Sequence, residues 1–555
     1  MKTNLLRGAG FVASLLALNG CRLEEQIVDT PLSENFVRTQ SDVATALNAV
    51  YGTLTEFNSF KFNVYSLTYG AADDISSTAA EQAALGLKSY NFATVQVGGT
   101  WNALYRTVNT ANFLLDRIDN VPMPPDYKNR VKGELSFLRA FAYFYLVRFF
   151  GPVPLRTQAT ATDSDLYMPR SSVDAVYAQI TQDLRLASAL LPTRTRQPTT
   201  EFGRATKGAA QAILTKAALT YANTFDLKGE AGKAREWYAT AKTYADSVIN
   251  SNEYTLLSYN DLWNVDKERD NYREFIFGIQ FTRDRIVAQA QAQGSEHGGR
   301  SMPSTMPNVS GLGTAKTGVG QWKVQPWFYD QCSTGDYAGD YRAERTFLTS
   351  FVNTANRRVA IYPSLPTGTD LTEPQPYVFK YVDGQALDIR NHESDFVITR
   401  LADVLLMKAE AENELNGPTA EAYVAFNRLR ERARRADGVT TRTTPANLAP
   451  ALTKDQFRQR IFLERGLELV GEGHRWFDLV RMKSPEGRTM YEYQFSTVLP
   501  KITPGLPRWN ATARRWEGGR TEATNVHAFN ARFLLFPVPI GELTANPNSQ
   551  QNPGW

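Results

Sequence analysis

The chain carries 555 residues, 42% of them hydrophobic, with 61 Lys and Arg against 57 Asp and Glu for a net charge of +4. That length supplies one large core or two joined subdomains. A nearly balanced charge without a long basic run argues against a nucleic-acid partner, and beyond the first 20 residues no apolar stretch approaches the roughly 18 residues that a transmembrane helix needs.

The N-terminus reads as an export signal. Lys2 and Arg7 flank the start of a short apolar stretch ending at Leu18, too short to remain in a bilayer as a helix. Leu18-Asn19-Gly20-Cys21 then fits a bacterial lipobox, with an apolar residue three before the cysteine and a small one just before it. Residues 1–20 are thus expected to be a lipoprotein signal peptide, and Cys21 the lipid-bearing residue. At about 0.8 kcal/mol per buried CH₂, two or three palmitate-like chains anchor stably where one does not. The second cysteine, Cys332, then has no disulfide partner and reads as inert.

Residues 21–40 read as a polar tether. From 41 to 254 the pattern is helical. Ser41 or Asp42 can cap a first helix through Asn48 and Tyr51. Trp101, Tyr105, Val108, Leu115 and Ile118 fall on one helical face. Phe137, Phe141, Phe144 and Arg148 form another stripe, on a helix that must stop at Gly151-Pro152-Val153-Pro154. A helix over 173–191 ends before Pro192. Residues 207–223 and 232–249 read as a helical pair rich in small residues (Ala209, Ala210, Ala217, Ala218, Ala239, Ala241), as in tetratricopeptide-like stacks. Residues 255–395 lose this periodicity: 274–281 is strand-like and 293–320 is rich in Gly, Ser, Thr and Pro, which reads as long irregular loops. Scaffold helices are expected again within 400–482, over 400–415, 421–434 and 454–482. The fold class is therefore mainly α, a tetratricopeptide-like helical-pair scaffold with a loop-rich region containing short strands.

Two constellations invite a chemical reading. Glu464, Arg465, Glu468, Glu472, His474, Arg475 and Asp478 resemble an acid–base cluster. They are interleaved with Leu463, Leu467, Val470, Trp476, Phe477 and Leu479, so paired structural charges are the better expectation. Glu410, Glu412 and Glu414 read as solvated, or as partners of Arg428 and Arg430. The four histidines are far apart and no HExxH occurs; Asp73-Asp74 could offer oxygen ligands to calcium, but a turn is the commoner meaning. No GxSxG, phosphate-binding glycine loop or Cys–His nucleophile motif is found, so no catalytic residue, cofactor or metal is assigned.

The aromatic loops are the better site candidates. Trp322, Trp327, Phe328 and Tyr329 lie near Tyr337, Tyr341, Asp336, Asp340 and Arg342; a second set is Tyr65, Tyr69, Asp73, Asp74 and Tyr90. Trp and Tyr rings stack on the C–H faces of sugars while Asp, Asn and Arg bind the hydroxyl rim. Trp322, Trp327, Tyr329, Tyr337, Tyr69 and Asp73 are the candidate ligand contacts. The competing expectation is that these rings bury themselves under the loops as anchors, as Trp101 is expected to do in its helix.

Four blocks in order carry a resemblance: FLRAFAYFYLVRFFGPVPL at 137–155, RLADVLLMKAEAENEL at 400–415, LERGLELVGEGHRWFDLVRM at 463–482, and FPVPIGELTANPNSQQNPGW at 536–555. Together they resemble the SusD/RagB family of nutrient-binding outer-membrane lipoproteins across essentially the whole mature chain. The resemblance implies a SusD-like region over 41–254 and a SusD/RagB region over 255–555. It also implies a non-catalytic protein that binds oligosaccharide or polysaccharide and serves a SusC-like TonB-dependent transporter. Glu24 and Glu25, just after Cys21, fit relatives displayed on the outer surface. Peptide cargo, a surface glycan hydrolase and a tetratricopeptide-like interaction scaffold are the alternatives.

Overall fold

The computed structural model describes residues 37–77, 79–86, 89–160, 166–282, 320–383, 392–435, 441–503, 505–519 and 528–555. Cys21, the signal peptide and most of the loop over 293–320 lie outside them. The described chain is mainly helical, with short strands. No helix among the described residues is long and apolar enough to cross a membrane.

The first helix, α1 (Gln40–Gly52), is capped two or three residues earlier than expected. Thr39, not Ser41 or Asp42, is the cap: its hydroxyl accepts from the Asp42 amide while the Asp42 carboxylate accepts from the Thr39 amide at 2.8 Å. After α2 (Asn63–Gly70) and α3 (Val95–Leu115), α4 (Pro125–Phe150) starts on a proline and stops where the glycine–proline pair requires, with Gly151 at φ +71°. Then follow α5 (Val173–Leu190), α6 (Lys207–Leu227) and α7 (Ala231–Asn250). Ala209, Ala210, Ala217 and Ala218 of α6 are buried, as are Ala234, Ala241 and Ala245 of α7, and these small faces let the two helices approach closely. Ala239 faces solvent instead.

After α8 (Pro326–Ser333), helices α9 (Leu401–Asn416), α10 (Ala420–Arg434), α11 (Lys454–Leu469) and α12 (Arg475–Arg481) complete the scaffold. The layer runs without a break from α3 through α4, α5, α6 and α7 to α9 and α10, each packed on the next. Its two halves join where α7 meets α9, across the long segment between residues 250 and 401.

That segment returns as short strands. β1 (Ile75–Ser77) pairs antiparallel with β3 (Trp322–Val324). β2 (Phe275–Ile279) pairs antiparallel with β9 (Phe396–Arg400) through an irregular register, and all their residues are buried. β4 (Phe347–Leu348) pairs with β8 (Tyr377–Val378), and β5 (Ser350–Val352), β6 (Arg358–Ile361) and β7 (Leu371–Glu373) form a three-stranded sheet. β10 (Arg508–Asn510) and β11 (Arg515–Glu517) make a separate hairpin.

The helix expected over 454–482 is two helices. Gly471 and Gly473 take φ of +75° and +78°, a left-handed conformation that favours glycine. The break turns Glu472 inward, where its carboxylate meets Arg400 (2.9 Å) and Lys380 (2.8 Å). Arg400 also meets Glu274 (2.9 Å) and Glu468 (2.6 Å). Arg342 holds Glu464 (2.6 Å), Glu468 (2.9 Å) and Asp340 (2.7 Å). Arg465 and Arg481 link Asp403, Asp478 and Glu410. The cluster is thus the structural network expected of charges set among apolar residues. Burial alone would raise the Glu468 carboxyl, but Arg432, Arg400 and Arg342 hold it well below the carboxylate range. Burial pulls the Lys380 ammonium down to about 8 against the opposing pull of Glu472.

The solvated reading of Glu410, Glu412 and Glu414 is corrected. All three are buried, and none pairs with Arg428 or Arg430. Glu410 binds Arg481, Glu412 accepts from Thr419 and Asn416, and Glu414 binds Arg458. α9 lies between α7, α10 and α11, so even its polar positions face neighbouring helices.

Candidate ligand-binding surface

The structure brings the two sequence-identified aromatic sets together, because β1 and β3 place Ser77 opposite Trp322. It then turns most of their members inward. Trp322 is 1% exposed and stands edge-on to Tyr69, ring centroids 5.8 Å apart. The Tyr69 hydroxyl donates to the Gly471 carbonyl, at the helix break. Asp73 takes the Arg475 guanidinium through both oxygens, at 2.6 and 2.9 Å, and accepts from Gln494. Trp327 is buried edge-on against Phe328, and Phe328 lies under Arg475. The Tyr337 hydroxyl donates to Glu464 at 3.0 Å, within the ionic network.

Trp322, Trp327, Tyr337, Tyr69 and Asp73 therefore offer no open face to a ligand. Trp322, Trp327 and Tyr337 are anchors of the loop-rich region, and Tyr69 and Asp73 tie the end of α2 to the α11–α12 break and to α12. Hydrophobic burial decides the matter: large rings next to a buried charge network gain more by covering it than by facing water. Tyr65 and Tyr90 are buried as well, Tyr90 beneath Trp555 of the C-terminal tail, with ring centroids 5.1 Å apart. The Trp555 indole donates to the Arg532 and Leu535 carbonyls, which pins that tail. Asp73 is committed to arginine, and no group of three or more His, Cys, Asp or Glu suited to a metal occurs among the described residues. Cys332 is free and buried, and burial pushes its thiol far up.

Tyr329 is the exception: it is half-buried on α8 and starts a row of rings that reaches the surface. Tyr329 stands edge-on to Tyr362 (6.2 Å), Tyr362 to Trp516 (5.9 Å), and Trp516 meets Trp509 (5.8 Å). Trp509 and Trp516 are direct cross-strand partners in the β10–β11 hairpin, which sets both rings on one face. The Tyr362 hydroxyl donates to Asp330 at 2.6 Å and the Trp516 indole to the Ser364 carbonyl at 3.0 Å, so the row is held rigidly. Trp509 and Trp516 are half-buried, and Leu365 beside them is 59% exposed. Asn510, Arg515 and Glu517 bond one another on the other face of the ribbon. The result is a ledge of flat rings with amide, carboxylate and guanidinium groups just across the edge of a narrow ribbon, a combination suited to stacking and to hydroxyl recognition. A separate cavity of about 390 Å³ opens between Phe202, Arg204, Thr206, Tyr254, Arg269 and Tyr272.

Trp509 and Trp516 are not among the rings that the sequence pattern singles out. A signal was present: Arg-Trp-Asn and Arg-Trp-Glu flank a short polar turn, the spacing of a hairpin with facing tryptophans.

Comparison with known proteins settles the family. Residues 273–555 match the family described as "SusD family", and residues 28–219 match one described as "Starch-binding associating with outer membrane". The chain belongs to the SusD family. Among its SusD-family relatives, "SusD-like protein P2" of Formosa agariphila is 28% identical over 85% of this chain and 90% of its own length. "Starch-binding protein SusD" of Bacteroides thetaiotaomicron is 24% identical over 80% of this chain and 76% of its own. Of solved SusD folds, a SusD homolog from Bacteroides thetaiotaomicron superposes with a TM-score of 0.78 at 24% identity, covering 94% of this chain and 98% of its own. A "Laminarin binding SusD-like protein" superposes with a TM-score of 0.67 at 24% identity, covering 94% of this chain and all of its own.

Proposed function

We propose that this SusD-family protein is a lipid-anchored surface receptor that captures nutrient glycans and delivers them to a SusC-like TonB-dependent outer-membrane transporter. The row of rings ending in Trp509 and Trp516 is the observation that supports capture. It supplies flat, rigid, half-exposed aromatic area, while the rings expected from sequence are committed to the core. Relatives named for starch and laminarin binding support a glycan as the cargo. The signal over 1–20, the tether over 21–40 and lipidation at Cys21 account for attachment, and Glu24 and Glu25 for display on the outer side. No bond is broken in this role and no cofactor is needed. Stacking and rim hydrogen bonds hold the glycan at an affinity low enough for release into a pore.

Pull-down on insoluble polysaccharides tests the reading. The mature chain is expected to sediment with at least one polysaccharide and leave its chain length unchanged. Sedimentation with peptides alone, or shortening of the polymer, would sink it.

A further inference from the structure

We infer that the Trp509–Trp516 ledge selects anionic polysaccharide, one carrying sulfate esters or uronate carboxylates, over neutral glycan. The inference rests on the glycan-capture reading and adds a ligand class to it. It comes from the charge left over around the ledge.

The ledge is built from two segments, 350–373 and 508–517. Their acids are all engaged: Asp370 by Arg358 at 2.5 Å, Glu373 by Lys323 at 3.3 Å and Glu517 by Arg515 at 2.8 Å. Three guanidinium groups remain without a carboxylate partner among the described residues: Arg357, whose side chain donates only to the Thr369 carbonyl, Arg508 and Arg514. All three are exposed. Arg508 precedes Trp509 directly, and Arg514 closes the turn that brings Trp516 back beside it.

Arg514 gives a second, independent indication. Its φ is +50°, in the left-handed region that costs a residue with a Cβ roughly 1–2 kcal/mol. The side chain of Asn510 already shapes this turn by accepting from the Thr512 and Ala513 amides, and glycine would close it without strain. The chain places a guanidinium there instead.

Arginine suits anions with planar or trigonal oxygens, because its fork of N–H groups binds two of them at once. The ribbon is only two strands wide, about 5 Å between strands. A polysaccharide along its edge therefore has rings on one side and guanidinium groups on the other. Neutral sugars would use the rings and hydroxyl hydrogen bonds, and anionic sugars would add charge-assisted contacts to Arg508 and Arg514.

Binding of the detergent-solubilised mature lipoprotein to a sulfated galactan, a polyuronate and neutral laminarin decides the matter, at low and high salt. The anionic polymers are expected to bind about tenfold more tightly than laminarin at low salt, and to lose that advantage as salt screens the charges. Whether the sulfated polymer or the polyuronate leads identifies the anion. Arg508→Gln with Arg514→Gln is expected to remove the preference while leaving the melting temperature and laminarin binding in place, since both side chains are exposed and unpaired. Equal, salt-insensitive binding of all three polymers overturns the inference but leaves glycan capture standing. Binding to none of a wide polysaccharide panel overturns both.

Discussion

Arg400 has no exposed surface and meets Glu274, Glu468 and Glu472 within 2.9 Å. Such a group stabilises the fold only while every partner stays in place, since removing one leaves a buried charge uncompensated. Arg400→Ala is therefore expected to cost about 3–5 kcal/mol, read as a lower denaturation midpoint at an unchanged denaturant slope. Trp322 makes a similar case for the rings. Trp322→Ala is expected to cost about 3–5 kcal/mol by opening a cavity in the core, so any loss of ligand binding should track loss of fold. Asp74 supplies the pH dependence. Burial first, and the adjacent Asp73 second, raise its carboxyl from 3.8 to about 7. A raised carboxyl stabilises the folded state while it is protonated, so its contribution is complete below about pH 4 and is lost as pH rises through about 7. Asp74→Asn stays neutral throughout. Its melting temperature relative to the unaltered protein should rise between about pH 5 and pH 8; a constant difference would show that Asp74 does not titrate in this range.

At the scale of elements, local signals and tertiary partners separate cleanly. The stop of α4 was legible because Gly151 and Pro152 act on their own backbone. The charged block from Glu464 to Asp478 was legible as structure because the apolar residues between its charges force burial. The split between α11 and α12 was not read, although Gly471 and Gly473 stand in plain view, since glycine alone does not announce a left-handed φ. The burial of Glu412 and Glu414 was not read either, because it depends on helices from distant sequence closing round α9. The candidate site fared worst for the same reason. Trp322 and Trp509 are chemically alike, and only the partner that each ring finds decides which one faces water. Gly471→Ala tests the break directly. The added Cβ would stand 2.8 Å from Val378 Cγ1 in a left-handed backbone, with a backbone cost of about 1–2 kcal/mol before any clash. Chemical denaturation should show at least that loss; an unchanged midpoint would mean that the break tolerates a side chain.

For the whole molecule, one helical layer built from both ends of the sequence carries a loop-rich region whose aromatic residues do two jobs. Most are buried and fasten it inward, Tyr337 through Glu464 and Trp322 edge-on against Tyr69. A smaller row carries ring surface outward to the β10–β11 hairpin. The proposed lipid attachment at Cys21 is tested separately: radiolabelled palmitate is expected in the intact protein and absent from Cys21→Ala. The central claim is that capture happens at the hairpin ledge and not at the buried rings. Affinity electrophoresis through polysaccharide gels, with the Trp509→Ala, Trp516→Ala double variant beside the unaltered chain, tests it most directly. The account predicts that the double variant loses retardation while melting within a few degrees of the unaltered protein. Full retardation of a folded double variant would contradict it and place the site elsewhere.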